Sequence, residues 1–164
     1  MGKAKDKTNV MRVLDQKKIQ YKMYNYLDTG VISGIDVAKI LNQNPACVFK
    51  TLVTIGSSKT NYVFLVPVNK ELDLKKAAKC VKEKKIEMIK SKELLPLTGY
   101  IHGGCSPIGM KKSFTTVIDK TAEEFETIIF SGGKIGYQVE LSLSELRKVI
   151  RFSLEDIVCE DKNV

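Results

Sequence analysis

Of the 164 residues in the chain, 43% are hydrophobic and 28% are charged, an ordinary globular composition that argues against a disordered chain. No stretch approaches the roughly 20 apolar residues that cross a bilayer, so we expect no membrane partner. The formal net charge of +8 favours a polyanionic partner through neutralisation of phosphates, although a lysine-rich surface alone gives the same excess.

The chain begins with a charged segment and one helix. Its first nine residues, MGKAKDKTN, lack the apolar run of a secretory signal, so we expect the protein in the cytoplasm. Thr8 or Asn9 can cap a helix that runs to about Lys17, because hydrophobic residues follow at helical spacing. The alternation over Ile19–Asn25 then predicts a strand.

A second helix precedes two segments of β-rich composition. Residues 26–34 are rich in turn formers, and Ser33 and Asp36 form a capping-box pattern for a helix. Val48–Ile55 and Tyr62–Val68 are separated by GSSKTN, a composition typical of hairpin loops. We therefore expect two adjacent antiparallel strands in the core.

The second half of the chain carries more strands than helices. Asp73 can cap a third helix with outward lysines, and Ile86–Ile89 predicts a strand before a short helix at Ser91–Leu95. Capping-box patterns at Ser142–Glu145 and Ser153–Asp156 predict two short C-terminal helices. The other predicted strands are Tyr100–His102, Thr116–Asp119, Thr127–Phe130 and Tyr137–Leu141. This mixed order indicates the α+β class, and without repeats or linkers we expect one domain over residues 1–164.

Glycines are concentrated in two segments, GYIHGGCSPIG at residues 99–109 and SGGKIG at residues 131–136. Because glycine at a turn costs chain entropy, such clustering indicates unusual backbone angles or close approach to a ligand. Successive N–H groups in such a loop can point at a carbonyl oxygen or a phosphate. A pair of tight turns is the alternative, and neither segment matches a P-loop or a dinucleotide fingerprint.

Three further residues are candidates for chemistry. Lys50 lies in the otherwise apolar strand VFKTLV, where it either snorkels at a sheet margin or lines a cleft and meets a phosphate or carbonyl. Cys105 near His102 is a candidate nucleophile and base, but we disfavour it because a strand at 100–102 need not turn the histidine towards the cysteine.

Metal binding is not expected from the cysteine pattern. The chain has no CxxC pair and one histidine, whereas a zinc site needs about four converging thiolate or imidazole ligands. In a reducing compartment the thiols are expected to be free. The cysteines are Cys47, Cys80, Cys105 and Cys159.

The chain contains five segments that are specific in combination, namely KTNVMRVLD, VFKTLV, PVNKELDLKKAAK, TGYIHGGCSPIGMKK and SGGKIGYQVEL. In these it resembles the YbaK/EbsC aminoacyl-tRNA deacylases, which are related to the editing domain inserted in bacterial prolyl-tRNA synthetases. The resemblance implies one compact α+β domain with a central mixed, mostly antiparallel sheet flanked by helices. It also implies a cleft on that sheet, without metal or bound cofactor.

The resemblance assigns roles residue by residue. Lys50 matches the family's essential lysine, which binds the terminal adenosine end and orients the ester, and Gly103 matches the first glycine of a GxxxP loop that holds the aminoacyl carbonyl. These two are the expected catalytic residues. Cys105 stands where relatives often carry a small apolar residue, which removes it from the catalytic set, and Gln138 replaces an acid of better-studied bacterial members. The expected substrate-binding residues are Tyr26, Thr51, Gly104, Ser106, Pro107, Ser131, Gly132 and Gln138.

The resemblance also implies a reaction, cleavage of the ester that joins a wrong amino acid to the 3′ end of tRNA. The usual substrate of this subgroup is Cys-tRNA(Pro), with Cys-tRNA(Cys) as a further candidate, and the implied attack comes from the thiol of the attached cysteine. Two alternatives stay open: hydrolysis of Ala-tRNA(Pro) by water, and a non-catalytic module that binds tRNA or a synthetase. The expected partners are the tRNA acceptor end and, as an open alternative, prolyl-tRNA synthetase.

Overall fold

The computed structural model describes residues 7–160. Residues 1–6 of the charged N-terminal segment and the C-terminal residues 161–164 lie outside it, so the domain predicted over 1–164 stays a prediction. Within the described range the helices are α1 (Asn9–Gln16), α2 (Gly34–Ile40), α3 (Leu74–Cys80), α4 (Ser91–Thr98) and α5 (Leu143–Leu146). The strands are β1 (Lys22–Asn25), β2 (Phe49–Gly56), β3 (Asn61–Pro67), β4 (Ile86–Met88), β5 (Thr115–Asp119), β6 (Ile128–Ser131), β7 (Tyr137–Leu141) and β8 (Ser153–Glu155).

The strands form two sheets, with the orders β1–β7–β6 and β4–β2–β3–β5–β8. The pairs β1–β7, β6–β7, β2–β3 and β2–β4 are antiparallel, and the pairs β3–β5 and β5–β8 are parallel. A parallel bridge between Val48 and Ile129 joins the start of β2 to β6. The predicted α+β class and mostly antiparallel pairing are confirmed, as is the β2–β3 hairpin.

The five-stranded sheet separates two hydrophobic clusters, because side chains alternate between its faces. Along β3, Val63 and Leu65 belong to the larger cluster, whereas Phe64 belongs to the smaller one. All three are fully buried, and a side chain of this kind stabilises the fold by about 1.5–3 kcal/mol. Ala77 and Ala78 seat α3 on the smaller cluster, so its lysines face outward as predicted.

Four helix starts are confirmed by their capping hydrogen bonds. The Thr8 hydroxyl accepts from the Met11 N–H at 3.2 Å, and the Asp73 carboxylate accepts from the N–H groups at the start of α3 at 3.0 Å. Ser33 and Ser142 cap α2 and α5 in the same way. Each cap is worth roughly 1 kcal/mol, so local sequence is sufficient to set these boundaries.

The strand predicted over Tyr100–His102 is wrong, because this segment turns. Gly99 and Gly103 have φ values of 88° and 89°, in the left-handed region that glycine adopts without strain. The Tyr100 hydroxyl donates to the Ile108 carbonyl and closes the segment on itself. These residues therefore form a folded loop after α4 instead of a sheet strand.

The C-terminal helix predicted over Ser153–Asp156 is also wrong. This segment is β8, which pairs in parallel with β5 and sets Leu154 opposite Ile118. The Asp156 carboxylate accepts from Lys76 Nζ at 3.2 Å instead of closing a capping box. Pairing with the edge of β5 supplies main-chain hydrogen bonds along the strand, which outweigh a local capping pattern.

The first strand is shorter than predicted for a local reason. Lys18 has φ 57°, and the Ile19 N–H donates to the Leu14 carbonyl at 2.9 Å. This is the closing hydrogen bond of a helix C-terminus, so the chain leaves α1 before β1 can begin at Lys22.

None of the helices between residues 7 and 160 has the length and apolarity that crossing a bilayer requires.

Candidate active site

A cleft of about 380 Å³ opens where the two sheets meet. Its walls come from the start of α2, from β2, from the ends of β6 and β7 that face each other, and from the loop after α4. We call it the substrate cleft. It brings together six of the expected site residues from distant parts of the chain, namely Tyr26, Lys50, Thr51, Gly103, Ser131 and Gln138.

Lys50 lies on the wall of the substrate cleft, so the structure favours the cleft position over a cation that only snorkels at a margin. Its side chain is 31% exposed, and Nζ lies 3.1 Å from Oε2 of Glu71, whose side chain is 80% exposed. An ion pair this exposed contributes about 0–1 kcal/mol. An anionic or carbonyl ligand in the cleft can therefore compete with Glu71 for the ammonium group.

Thr51, next to Lys50 on β2, presents an unsatisfied hydroxyl. Within residues 7–160 its Oγ1 is the one buried side-chain oxygen or nitrogen that lacks a hydrogen-bond partner. A buried polar atom without a partner costs about 1–3 kcal/mol, so native proteins rarely retain one. Thr51 also lines the substrate cleft, although Oγ1 itself is covered from solvent in this structure.

Two adjacent glycines have different structural duties in the loop after α4. Gly103 needs its left-handed φ of 89°, whereas a Cβ there would only reach ordinary contact with Ile135 at 3.4 Å. A Cβ on Gly104 would lie 3.0 Å from the Ile135 nitrogen and 3.2 Å from the Lys134 backbone. Gly104 thus allows the two glycine loops to touch, and Gly103 sets the direction of the chain at the cleft.

Some main-chain N–H groups of this loop make hydrogen bonds within the protein and others do not. The Gly104 N–H donates to the Ile101 carbonyl at 3.0 Å, which closes the turn. Among the described residues, no protein acceptor lies within hydrogen-bond reach of the N–H groups of Gly103 and Cys105. Both residues line the substrate cleft.

Four expected site residues are not brought to the substrate cleft. Gly104 and Ser106 are buried behind it, and the Ser106 hydroxyl accepts from the Ile108 N–H at 3.3 Å. The Gly132 N–H donates to the Tyr137 carbonyl at 2.8 Å, which holds the turn between β6 and β7. Pro107 lies instead on the wall of a second cleft.

Gln138 lies on the floor of the substrate cleft, on β7 and opposite Ser131 of β6. The residue is 5% exposed, and its Oε1 accepts from Gln43 Nε2 at 2.9 Å. The Ser131 hydroxyl accepts from the Gly133 N–H at 3.1 Å. Tyr26 is buried beside them, with its main chain tied to Gly136 at 2.8 Å. The floor is therefore polar, uncharged and internally hydrogen-bonded.

Cys105 is a poor nucleophile in this structure. It is 8% exposed, and burial raises the pKa of its thiol to about 12, against a weaker lowering by a hydrogen bond with Thr98. The thiolate is the nucleophilic form, so its population at neutral pH is negligible. His102, which also borders the cleft, is exposed to solvent.

Sequence reasoning missed two features of the site. Ile32, Ile35 and Phe130 supply apolar wall, although the first two lie in and just after a segment interpreted as a turn-rich connection. Gln43, the partner of Gln138, gave no signal because the two residues are 95 positions apart. Hydrophobic residues at the edge of a turn-rich segment are the cue that could have found the isoleucines.

The side chains around the substrate cleft are almost free of acid. Among the described residues that line it, none is Asp or Glu, and Lys50 is the single lysine. Residues 7–160 also contain no group of three or more His, Cys, Asp or Glu side chains arranged to hold a metal ion. Lys50, Thr51 and the loop at Gly103 are among the polar groups on its walls.

A family model described as an aminoacyl-tRNA editing domain matches residues 32–149. A protein of Enterococcus faecalis is 46% identical over 141 residues, which cover 85% of this chain and 86% of the relative. That relative is provisionally named Cys-tRNA(Pro)/Cys-tRNA(Cys) deacylase EbsC. The matched region includes Lys50, Gly103 and Gln138.

Two solved structures share the fold. One is described as a hypothetical protein, APE2540, with a TM-score of 0.82 at 17% identity, covering 93% of this chain and all of the other. The other is described as a trans-editing enzyme for prolyl-tRNA synthetase, an identity given there as provisional. Its TM-score is 0.79 at 20% identity, covering 93% of this chain and 99% of the other.

Proposed function

The chain belongs to the aminoacyl-tRNA editing domain family, and from this we propose that it is a deacylase that removes cysteine from mischarged Cys-tRNA(Pro). One observation carries the proposal. Lys50, Thr51 and Gly103 line one cleft, in a relative of a protein named for this reaction. Cys-tRNA(Cys) is a further substrate, since it presents the same aminoacyl ester.

The proposed binding mode places the aminoacyl ester between Lys50 and the loop at Gly103. Lys50 contacts the terminal adenosine end and orients the ester, while the N–H groups of Gly103 and Cys105 hold the carbonyl oxygen. Negative charge develops on that oxygen as the tetrahedral intermediate forms. Donors fixed in advance stabilise it, and the loss of one such donor typically costs a factor of 10²–10³ in rate.

The nucleophile in this proposal is the thiol of the substrate. The sulfur attacks the ester carbonyl carbon, the bond from that carbon to the ribose oxygen breaks, and the thiol proton ends on the ribose hydroxyl. The products are a cyclic thiolactone of cysteine and deacylated tRNA. Two observations support a reaction without an enzyme nucleophile. Among the described residues that line the cleft, none is Asp or Glu, and the Cys105 thiol has a pKa of about 12.

Substitution of the family's acid by Gln138 fits this reaction. An amide in the buried Gln43–Gln138 pair supplies a donor and an acceptor but no general base. The protein holds the substrate in the reactive geometry, and an attack within one bound molecule is faster because no further translational or rotational entropy is lost.

We place the reaction in the cytoplasm, and prolyl-tRNA synthetase is the proposed partner that delivers the mischarged tRNA.

The experiment is a deacylation assay with purified protein and EDTA on cysteinyl-, alanyl- and prolyl-tRNA(Pro). We expect fast loss of cysteine alone, no effect of EDTA, and loss of activity in Lys50→Ala but not in Lys84→Ala. Lys84 is an exposed lysine that does not line the cleft. Equal rates on alanyl-tRNA(Pro) would instead support attack by water, and inactivity on all three would leave only tRNA binding.

A further inference from the structure

A second cleft, of about 470 Å³, lies on the other part of the loop after α4. We call it the basic cleft. Within the described residues its lining contains no acidic side chain, but five cationic ones from two segments of the chain. They are Lys111, Lys112, Arg147, Lys148 and Arg151. The reaction proposed above makes no use of any of them.

Two of these cations are held in place by the protein. The Arg147 guanidinium stacks on Phe152, with its carbon 4.3 Å from the ring centre, and donates to the Phe152 carbonyl at 3.4 Å. Lys111 Nζ donates to the Pro96 carbonyl at 3.5 Å. Neither contact neutralises the charge, so both cations remain available to an anion.

The other three cations differ in their counter-charge. Lys148 Nζ pairs with Glu145 at 2.5 Å. Lys112 and Arg151 are exposed, and among residues 7–160 no carboxylate pairs with either. With Glu145 counted against Lys148, the lining of the basic cleft keeps an excess of positive charge.

The two clefts share one loop. Cys105 lines the substrate cleft and Pro107 lines the basic cleft, so the two walls are two residues apart along the chain. Cα atoms at that separation lie at most about 7 Å apart. The loop segment from Cys105 to Pro107 therefore contributes to the walls of both clefts.

We propose that the basic cleft binds backbone phosphates of the tRNA acceptor end while the terminal ester occupies the substrate cleft. This inference rests on the proposed function, because it takes tRNA as the substrate. Phosphate contacts position a nucleic acid without reading its sequence, which suits a surface built from lysine and arginine. An acidic protein surface is the competing occupant, but it has no covalent connection to the group in the substrate cleft.

The test compares two double variants that each remove two positive charges. Lys112→Ala with Arg151→Ala removes the two cations of the basic cleft for which the structure gives, within residues 7–160, neither a carboxylate partner nor a hydrogen bond to the main chain. Lys75→Ala with Lys79→Ala is the control, because both lysines are exposed on α3, which packs against the other face of the five-stranded sheet. Binding of uncharged tRNA(Pro) is measured as Kd over a range of salt concentrations, so the readout does not depend on deacylation.

We expect the first variant to bind tRNA at least tenfold more weakly than wild type, and the control to bind within twofold. Each lost phosphate contact should reduce the slope of log Kd against log salt by about 0.7–0.9, so the slope should fall by about 1.4–1.8. In deacylation by the Lys112 and Arg151 variant, KM for Cys-tRNA(Pro) should rise while kcat is unchanged. The same variant should cleave 3′-O-cysteinyl adenosine at the wild-type rate, because this small substrate has no phosphate.

Three results would overturn the proposal. The first is wild-type affinity and salt slope in the Lys112 and Arg151 variant. The second is an equal loss in the Lys75 and Lys79 control, which would mean that only total charge matters. The third is a larger loss for polyglutamate than for tRNA, which would indicate an acidic protein partner. A protein that binds tRNA through this cleft but deacylates nothing would support the surface while contradicting the proposed function.

Discussion

The substrate cleft and the basic cleft border the same loop, yet the side chains that line them differ in charge. The first has a single lysine, apolar walls and an uncharged polar floor, and its polar groups are few. The second is lined by five cations and has no polar group that the structure leaves buried and unsatisfied. The difference separates two tasks: a reaction depends on few donors held in fixed directions, whereas affinity for a polyanion depends on the number of charges.

The largest effect should follow from removal of the Lys50 ammonium. Lys50→Met keeps most of the aliphatic stem in the wall and should lower single-turnover deacylation of Cys-tRNA(Pro) about 10²-fold or more. Lys84→Met removes the same charge elsewhere and should leave the rate unchanged. A Lys50→Met rate within threefold of wild type would contradict the role of this lysine.

The next effect concerns the direction of the loop at Gly103. Gly103→Ala and Gly30→Ala both place a Cβ at positive φ, 89° and 71°, and neither Cβ meets an atom closer than 3.4 Å. Each should destabilise the protein by about 1–2 kcal/mol, as measured by urea unfolding. Only Gly103→Ala should slow deacylation, by roughly tenfold or more. Equal activities in the two variants would show that the loop does not hold the ester.

A smaller effect tests the orphan hydroxyl of β2. Thr51→Val removes a buried oxygen without a partner, so stability should be unchanged or rise by about 1 kcal/mol while deacylation slows several-fold. Thr54→Val on the same strand removes a hydrogen bond to the Tyr62 carbonyl at 2.9 Å. That control should lose about 1 kcal/mol of stability with activity retained. Thr51→Val with full activity would mean that the hydroxyl has no ligand.

The smallest effect on activity is expected at Cys105. Cys105→Ala should deacylate within twofold of wild type. Its thiol has a folded pKa of about 12 against an ordinary value of 9, so the neutral form stabilises the fold fully below pH 9. That contribution is lost as pH rises from 9 towards 12. Urea unfolding at pH 7, 9 and 10 should show a steeper decline for wild type than for Cys105→Ala, and identical declines would contradict the raised pKa.

Local signals in the sequence predicted much of the fold. Thr8, Ser33, Asp73 and Ser142 cap helices through bonds to residues two or three positions away, which a sequence pattern can encode. Ser153 has the same kind of pattern but lies in β8, because its segment pairs with β5, which lies more than 30 positions earlier in the chain. Tertiary pairing of that kind leaves no local trace.

The residues of the candidate site also fall into those that a local sequence pattern indicates and those that depend on tertiary packing. Lys50 could be selected from a charge inside an apolar strand, whereas glycine density indicated only the loop, and the family resemblance selected Gly103 within it. The pairing of Gln43 with Gln138 and the unsatisfied state of Thr51 depend on packing between elements, so no sequence pattern announced them. The family resemblance implies substrate binding by Gly104, Ser106 and Pro107 as members of the GxxxP loop that begins at Gly103. In a folded loop, however, neighbours in sequence face different surfaces.

The central claim is that the protein positions the ester and the substrate supplies the nucleophile. Its most direct test is the single-turnover rate of wild-type protein on cysteinyl-, alanyl- and S-methylcysteinyl-tRNA(Pro). The alanyl group is smaller than cysteine and the S-methyl group is larger, so pocket size alone cannot reject both. We predict that both lose about 10³-fold or more in rate relative to cysteine, which is about 4 kcal/mol and exceeds the roughly 1–3 kcal/mol that a methylene-sized difference provides. Comparable rates on the alanyl and cysteinyl esters would contradict the claim.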